Sequence, residues 1–209
     1  MTLIQVASLS YGFVQDGALT GHPAVIVETG VGHEWSEVIS PDDLLARAES
    51  LAGGPCLISL AGADGQDAAI QPLEDLILIG QNRGFRFQVE IGGNEAPDWL
   101  DYLDYLTVRP APPSAALVTD YRALHQAIGA GLSGKPAISI AVTVSDDADF
   151  AFAEMVHELF PPVDFYVVPA STYPVHVRWL ADTVIERRQP DMRLSVPVLI
   201  SLLGMSARV

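Results

Sequence analysis

The chain of 209 residues is 49% hydrophobic and 18% charged, the composition of a folded domain with a buried core rather than of a disordered segment. Its 26 acidic residues outnumber 11 basic ones, and the formal charge of −15 repels phosphate backbones, which disfavours nucleic acid as a partner. No apolar run reaches the roughly 18 residues of a membrane span, and the single cysteine, Cys56, excludes an internal disulfide. With no leader pattern in "MTLIQVASLSYGF", the expectation is one soluble, cytoplasmic domain over residues 1–209.

In chain order, short branched apolar runs alternate with segments of helical period. Residues 23–28 read as the first clear strand. "SPDDLLARAESLAGG" reads as a helix, with Ser40 as its cap, Asp42 and Asp43 at its positive end, and Gly53 and Gly54 as its stop. "CLISL" at 56–60 is a second strand, and a helix follows over 68–83 until Gly84. "FRFQVE" and "YLTV" are the third and fourth strands, and a helix spans 120–129. "AISIAVTV" is the fifth strand, Ser145 caps a helix to Phe160, "DFYVVP" is the sixth strand, and 175–188 is the last helix. Six such units predict an α/β fold: an incomplete, open (β/α)6 barrel, mainly parallel, with helices outside.

In such folds ligands gather at the carboxyl ends of the strands. The loop after the first strand offers His33, Glu34 and Trp35, too few groups for a metal without further His or Cys. "AGADGQD" carries Asp64 and Asp67 but neither GxGxxG nor GxxxxGK[ST], and reads as a turn. "EIGGN" is more suggestive, with Glu90 at a strand end beside Gly92, Gly93 and Asn94. Glu90 either caps local amides or contacts a ligand. Cys56, at a strand start, is expected to be an inert thiol. His125 and His157 lie on helices; His22 and His176 stand alone beside turns. The densest basic spot, Arg187, Arg188 and Arg193, reads as a solvated helix end.

Taken in order, these pieces resemble the 7-carboxy-7-deazaguanine synthases, radical S-adenosylmethionine enzymes of the queuosine pathway. "VQDGALTGHPAVIV" is similar to the family's "QGEGxxxGxPAxFVR", "LISLAGADGQD" to "VVLTGGEPLLQ", and "GFRFQVEIGGN" to "GFxVxVETNGT". "DYLTVRPAPPS" resembles "DWITVSPKPPS", and "PDMRLSVPVLISLLGM" resembles "WRLSLQTHKxLGI". The resemblance implies a radical S-adenosylmethionine barrel. It also implies a cluster-binding loop with three cysteines after the first strand, where this chain has "ETGVGHEW" and no cysteine.

Other positions depart as well. Glu28 stands at the family's substrate-binding arginine, Ala63 near the glutamate of "GGEP", and Ala111 at the lysine of "SPKPP". Leu199 and Ile200 replace the His-Lys pair. Asp16, Glu90 and Asn94 remain as polar candidates. The expectation drawn is a pseudoenzyme without cofactor or metal, with a vestigial pocket of Asp16, Glu28, Glu90, Gly92, Gly93 and Asn94. Such a protein would act as an interaction module: a homodimer, as in the family, or part of a larger assembly such as a viral one. The alternative is a deazapurine or nucleoside binding protein, without membrane or direct nucleic-acid contact.

Overall fold

The computed structural model describes residues 2–15, 17–30, 37–62, 68 and 72–196. Nine strands form one sheet in the order β3-β1-β2-β4-β5-β6-β7-β8-β9. They are β1 Ile4–Phe13, β2 Pro23–Thr29, β3 Glu37–Ile39, β4 Leu57–Gly62, β5 Arg86–Ile91, β6 Tyr105–Val108, β7 Ala137–Val144, β8 Asp164–Pro169 and β9 Met192–Leu194. From β2 to β9 every neighbour is parallel, whereas β1 runs antiparallel to β2 and β3. The open, mainly parallel α/β sheet agrees with the expectation.

The helices are α1 Pro41–Ala52, α2 Glu74–Asn82, α3 Tyr121–Ser133, α4 Asp147–Leu159 and α5 Pro174–Glu186. Helix α1 begins as the sequence predicts: the Ser40 hydroxyl accepts from Asp43 N at 3.1 Å, and Gly53 ends the helix at φ 78°. For α4 the cap is Asp146 and not Ser145, because the Asp146 carboxylate accepts from the amides of Ala148 and Asp149, both at 3.0 Å. Ser145 is turned to Asp149 instead. The helix expected at 68–83 is α2, which begins only at Glu74 with Leu73 at its cap position; residues 69–71 lie outside the described residues.

Strands β1, β3 and β9 were not expected. A register irregularity between Val6 and Ser8 breaks the two-residue alternation of β1, which hides its period. The other two are three residues long.

Alternation sorts the two faces of the sheet. Val25, Val27, Ile58, Leu60, Phe87 and Val89 point outward and pack with Leu44, Leu45, Leu76 and Ile77 of the helices in the main core. The inner face is lined at mid-height by the buried polar side chains Ser59, Gln88, Thr107 and Ser139. Thr107 and Ser139 share a hydrogen bond of 3.2 Å between their hydroxyls. The 3-10 turn Gly17–Leu19 folds onto this inner face, with Leu19 in a second core beside Val14, Ala24 and Leu57. Gly17 N donates to Ser195 Oγ at 3.0 Å, so this turn bridges the two ends of the open sheet.

Candidate functional site

At the carboxyl ends of β4, β5 and β6 lies a cleft of about 260 Å3, lined by Ala61, Gly62, Glu90, Ile91, Gly92, Asn94, Arg109, Ala111 and Leu117. Register explains the composition. Ala61 pairs with Glu28 on one side and stands one step beyond the Leu60–Val89 pair on the other. Glu90 pairs with Thr107, and Arg109 follows two residues later on the same face.

Arg109 is therefore the cation facing Glu90. Its Nη1 donates to Glu90 Oε2 at 3.2 Å and its Nη2 to Thr143 Oγ1 at 3.2 Å. The two side chains are 25% and 19% exposed, so the pair is shielded yet reachable from the cleft. Apolar Ile91 and Leu117 beside a charged pair give a site able to hold a small planar molecule and to orient it by one acceptor and one cation.

Of the residues singled out in the sequence, the structure gathers Glu90, Gly92 and Asn94 around this cleft. Asn94 Oδ1 accepts from Asp120 N at 3.0 Å, tying the cleft wall to the start of α3, whose cap is Asp120. Glu28 is on the same inner face but two strands from Glu90, about 10 Å by strand spacing; it is exposed and accepts from Ser8 Oγ at 2.6 Å. Ala111, at the family's lysine position, lines the cleft. Asp16, His33, Glu34, Trp35, Ala63, Asp64, Asp67, Leu199 and Ile200 lie outside the described residues.

Gly93 is buried behind the cleft at φ 79°, and a Cβ there would stand 2.9 Å from Leu124 Cδ1 and 3.0 Å from Val108 Cγ1. Gly93→Ala is expected to destabilise the chain by about 1–3 kcal/mol, because strain and crowding add at one residue. Urea denaturation with an unshifted midpoint would refute this.

Arg109 was missed in the sequence. Its signal was its place one residue past a strand end; only strand register shows that it meets Glu90. His176 is also not alone: its Nε2 lies 3.0 Å from Val144 O and its ring stacks on Trp179 at 5.2 Å.

The thiolates of an iron–sulfur cluster have no counterpart here. Cys56 is the chain's single cysteine and immediately precedes β4, whose six residues put it about 20 Å from the carboxyl edge. Burial pushes its thiol up, against a weaker pull from a hydrogen bond with the Val25 backbone, so it is not poised as a thiolate. The residues present do not fit a cluster held by three cysteines. Among the described residues there is also no group of three or more His, Cys, Asp or Glu that could hold a metal.

No protein-family model matches the chain. It is 34% identical over 129 residues to the 7-carboxy-7-deazaguanine synthase of Bacillus cereus (strain ATCC 14579), covering 62% of this chain and 53% of that protein. It is 26% identical over 131 residues to the 7-carboxy-7-deazaguanine synthase of Bacillus subtilis (strain 168), covering 62% and 54%. The chain thus matches about half the length of these relatives. In fold it is similar to the crystal structure of QueE from Escherichia coli, with a TM-score of 0.71, 17% identity and 93% of each chain covered.

These relatives correct one expectation. Both are named as a synthase and the fold is that of QueE, so the findings point to an enzyme and overturn the reading of a non-catalytic chain. The failed step ran from missing thiolates to missing activity. A cysteine count bears on one cofactor; it says nothing against a polar cleft that still stands at the carboxyl edge.

Proposed function

We propose that the chain is a member of the 7-carboxy-7-deazaguanine synthase family and an enzyme whose substrate or product is a carboxylated 7-deazaguanine or a close purine relative, a reading supported by its similarity to the two Bacillus synthases. The observation that carries this reading is the Glu90–Arg109 pair in the cleft. A ring of this class carries a carboxylate on one side and an edge of N–H donors on the other. Arg109 matches the carboxylate with a charge-assisted hydrogen bond, and Glu90 accepts from the donor edge. Each ligand group replaces the partner that the pair gives up, so both charges stay satisfied when the ligand enters.

Arg109 is held in place by Thr143 from β7, and Ile91 and Leu117 supply apolar surface for the ring faces. The conversion itself is not routed through a cluster on this chain's residues. Titration calorimetry with 7-carboxy-7-deazaguanine is expected to show binding to the native chain. Arg109→Gln should weaken that binding by about 10-fold or more while leaving 7-deazaguanine, which lacks the carboxylate, unaffected. No heat at millimolar ligand, or equal affinity of both proteins for the carboxylated compound, would sink the reading.

A further inference from the structure

We propose that Asn94 makes the cleft select a ring bearing an oxo group over one bearing an amino group at the same position, an inference that rests on the cleft being a purine site. Three polar side chains line it: Glu90, Arg109 and Asn94. The first two are bonded to each other. Asn94 is neutral and could present either its carbonyl or its NH2 group to a ligand.

The surroundings of Asn94 decide which. Its Oδ1 accepts from Asp120 N at 3.0 Å. A backbone N–H only donates, so the contact admits the amide oxygen and not the nitrogen, and the orientation of the side chain is fixed. Asp120 is itself held, because its carboxylate caps α3 and accepts from the amides of Arg122 and Ala123 at 2.8 and 3.2 Å. Gly93, at φ 79°, bends the chain after β5 and returns Asn94 to the cleft that Glu90 lines. Asn94 Nδ2 therefore stands on the side of the amide away from α3, and among the described residues nothing accepts from it.

The carboxylated 7-deazaguanine ring carries its oxo oxygen between the carboxylate and the N–H edge. Arg109 matches the carboxylate and Glu90 the N–H edge, so a neutral N–H donor in the same cleft supplies the contact the oxo group needs. An amino group in its place sets N–H against N–H and leaves both donors without an acceptor. Such a mismatch is worth about 10- to 100-fold in affinity. The selectivity arises from this repulsive pairing as much as from the bond it replaces.

Titration calorimetry with 7-carboxy-7-deazaguanine and with its 2,6-diamino counterpart gives the preference as a ratio of dissociation constants. The native chain should favour the oxo compound by about 10-fold or more. The diamino ring also lacks the N1 hydrogen that faces Glu90, a loss common to the native chain and its variants, so the change in the ratio reports on residue 94. Asn94→Asp keeps an acceptor for Asp120 N and exchanges the donor for a second acceptor. Its added charge weakens both ligands alike, and the ratio should shrink by about 10-fold or more. Should that variant lose its native circular dichroism, Asn94→Ala should shrink the ratio in the same direction. Heat from neither compound sinks this proposal together with the purine cleft. Binding of the oxo compound with a native ratio near one, or with a ratio that the variants leave unchanged, overturns the role of Asn94 alone.

Discussion

Replacing Asp149 by alanine is expected to destabilise the chain by about 3–4 kcal/mol, the scale of several charge-assisted hydrogen bonds lost at one buried site. That corresponds to a melting temperature lower by roughly 10 °C for a chain of this size. Asp149 is fully buried in the first turn of α4. Its carboxylate accepts from Ser114 N at 3.1 Å, from Ser114 Oγ at 2.6 Å and from Ser145 N at 3.0 Å, and the Ser145 hydroxyl donates as well. It therefore joins the loop after β6 to the turn after β7. Alanine would leave these donors without an acceptor in a site closed to water. Asparagine keeps one carbonyl but adds a donor among donors, and should fall between the two.

The same residue sets a pH dependence. Burial, the largest influence, pushes the Asp149 carboxyl up, but the hydrogen bonds of Ser114 and Ser145 together outweigh it and hold the group below the ordinary carboxylate range. A depressed value in the folded state means that the contribution is fully present above the unfolded value, about 3.9. It is lost as pH falls through the folded value. Urea denaturation of the native chain and Asp149→Asn from neutral pH down to acid should show the gap between them narrowing below about pH 4. A gap that stays constant, or widens in acid, would contradict this.

The contact of α2 with β5 should show an equally large effect. Gly80 is packed so tightly that a Cβ would stand 2.4 Å from Phe87 Cζ and 3.0 Å from Leu45 Cδ2. Phe87 is fully buried, so the ring has no solvent to move into. Phe87→Ala should cost about 3–5 kcal/mol, as for other large aromatics removed from a core. Gly80→Ala should cost about 1–3 kcal/mol through overpacking. In the double variant the new methyl enters space the ring has left, and the loss should be smaller than the sum by about 1 kcal/mol or more. Simple additivity in denaturant midpoints would mean that the two residues do not press on each other.

Much of the barrel was legible because each parallel strand is a short apolar run between helix signals, and the span from Tyr105 to Val108 matches its sequence reading residue for residue. The hairpin arm β1 was not legible. Its hydroxyl-rich run and its bulge destroy the alternation, and pairing with β2 rather than its own pattern holds it extended. At the cleft, Glu90, Gly92 and Asn94 could be named from strand-end position alone. Arg109 could not, since its importance comes from a register fixed by tertiary packing. Sequence comparison noted the loss of an arginine at Glu28 on β2, while the structure places a cation on the same inner face at the end of β6.

The order of the strands also has a bearing on synthesis. From β5 to β9 each strand pairs with the one that precedes it in the chain, so the sheet can grow by one strand at a time as the polypeptide leaves the ribosome. The hydrogen bond from Gly17 to Ser195 spans 178 residues and stands outside that sequence of events. It cannot form until β9 has been made, and the turn at Gly17–Leu19 must wait through nearly the whole of translation for the serine that holds it against the finished wall.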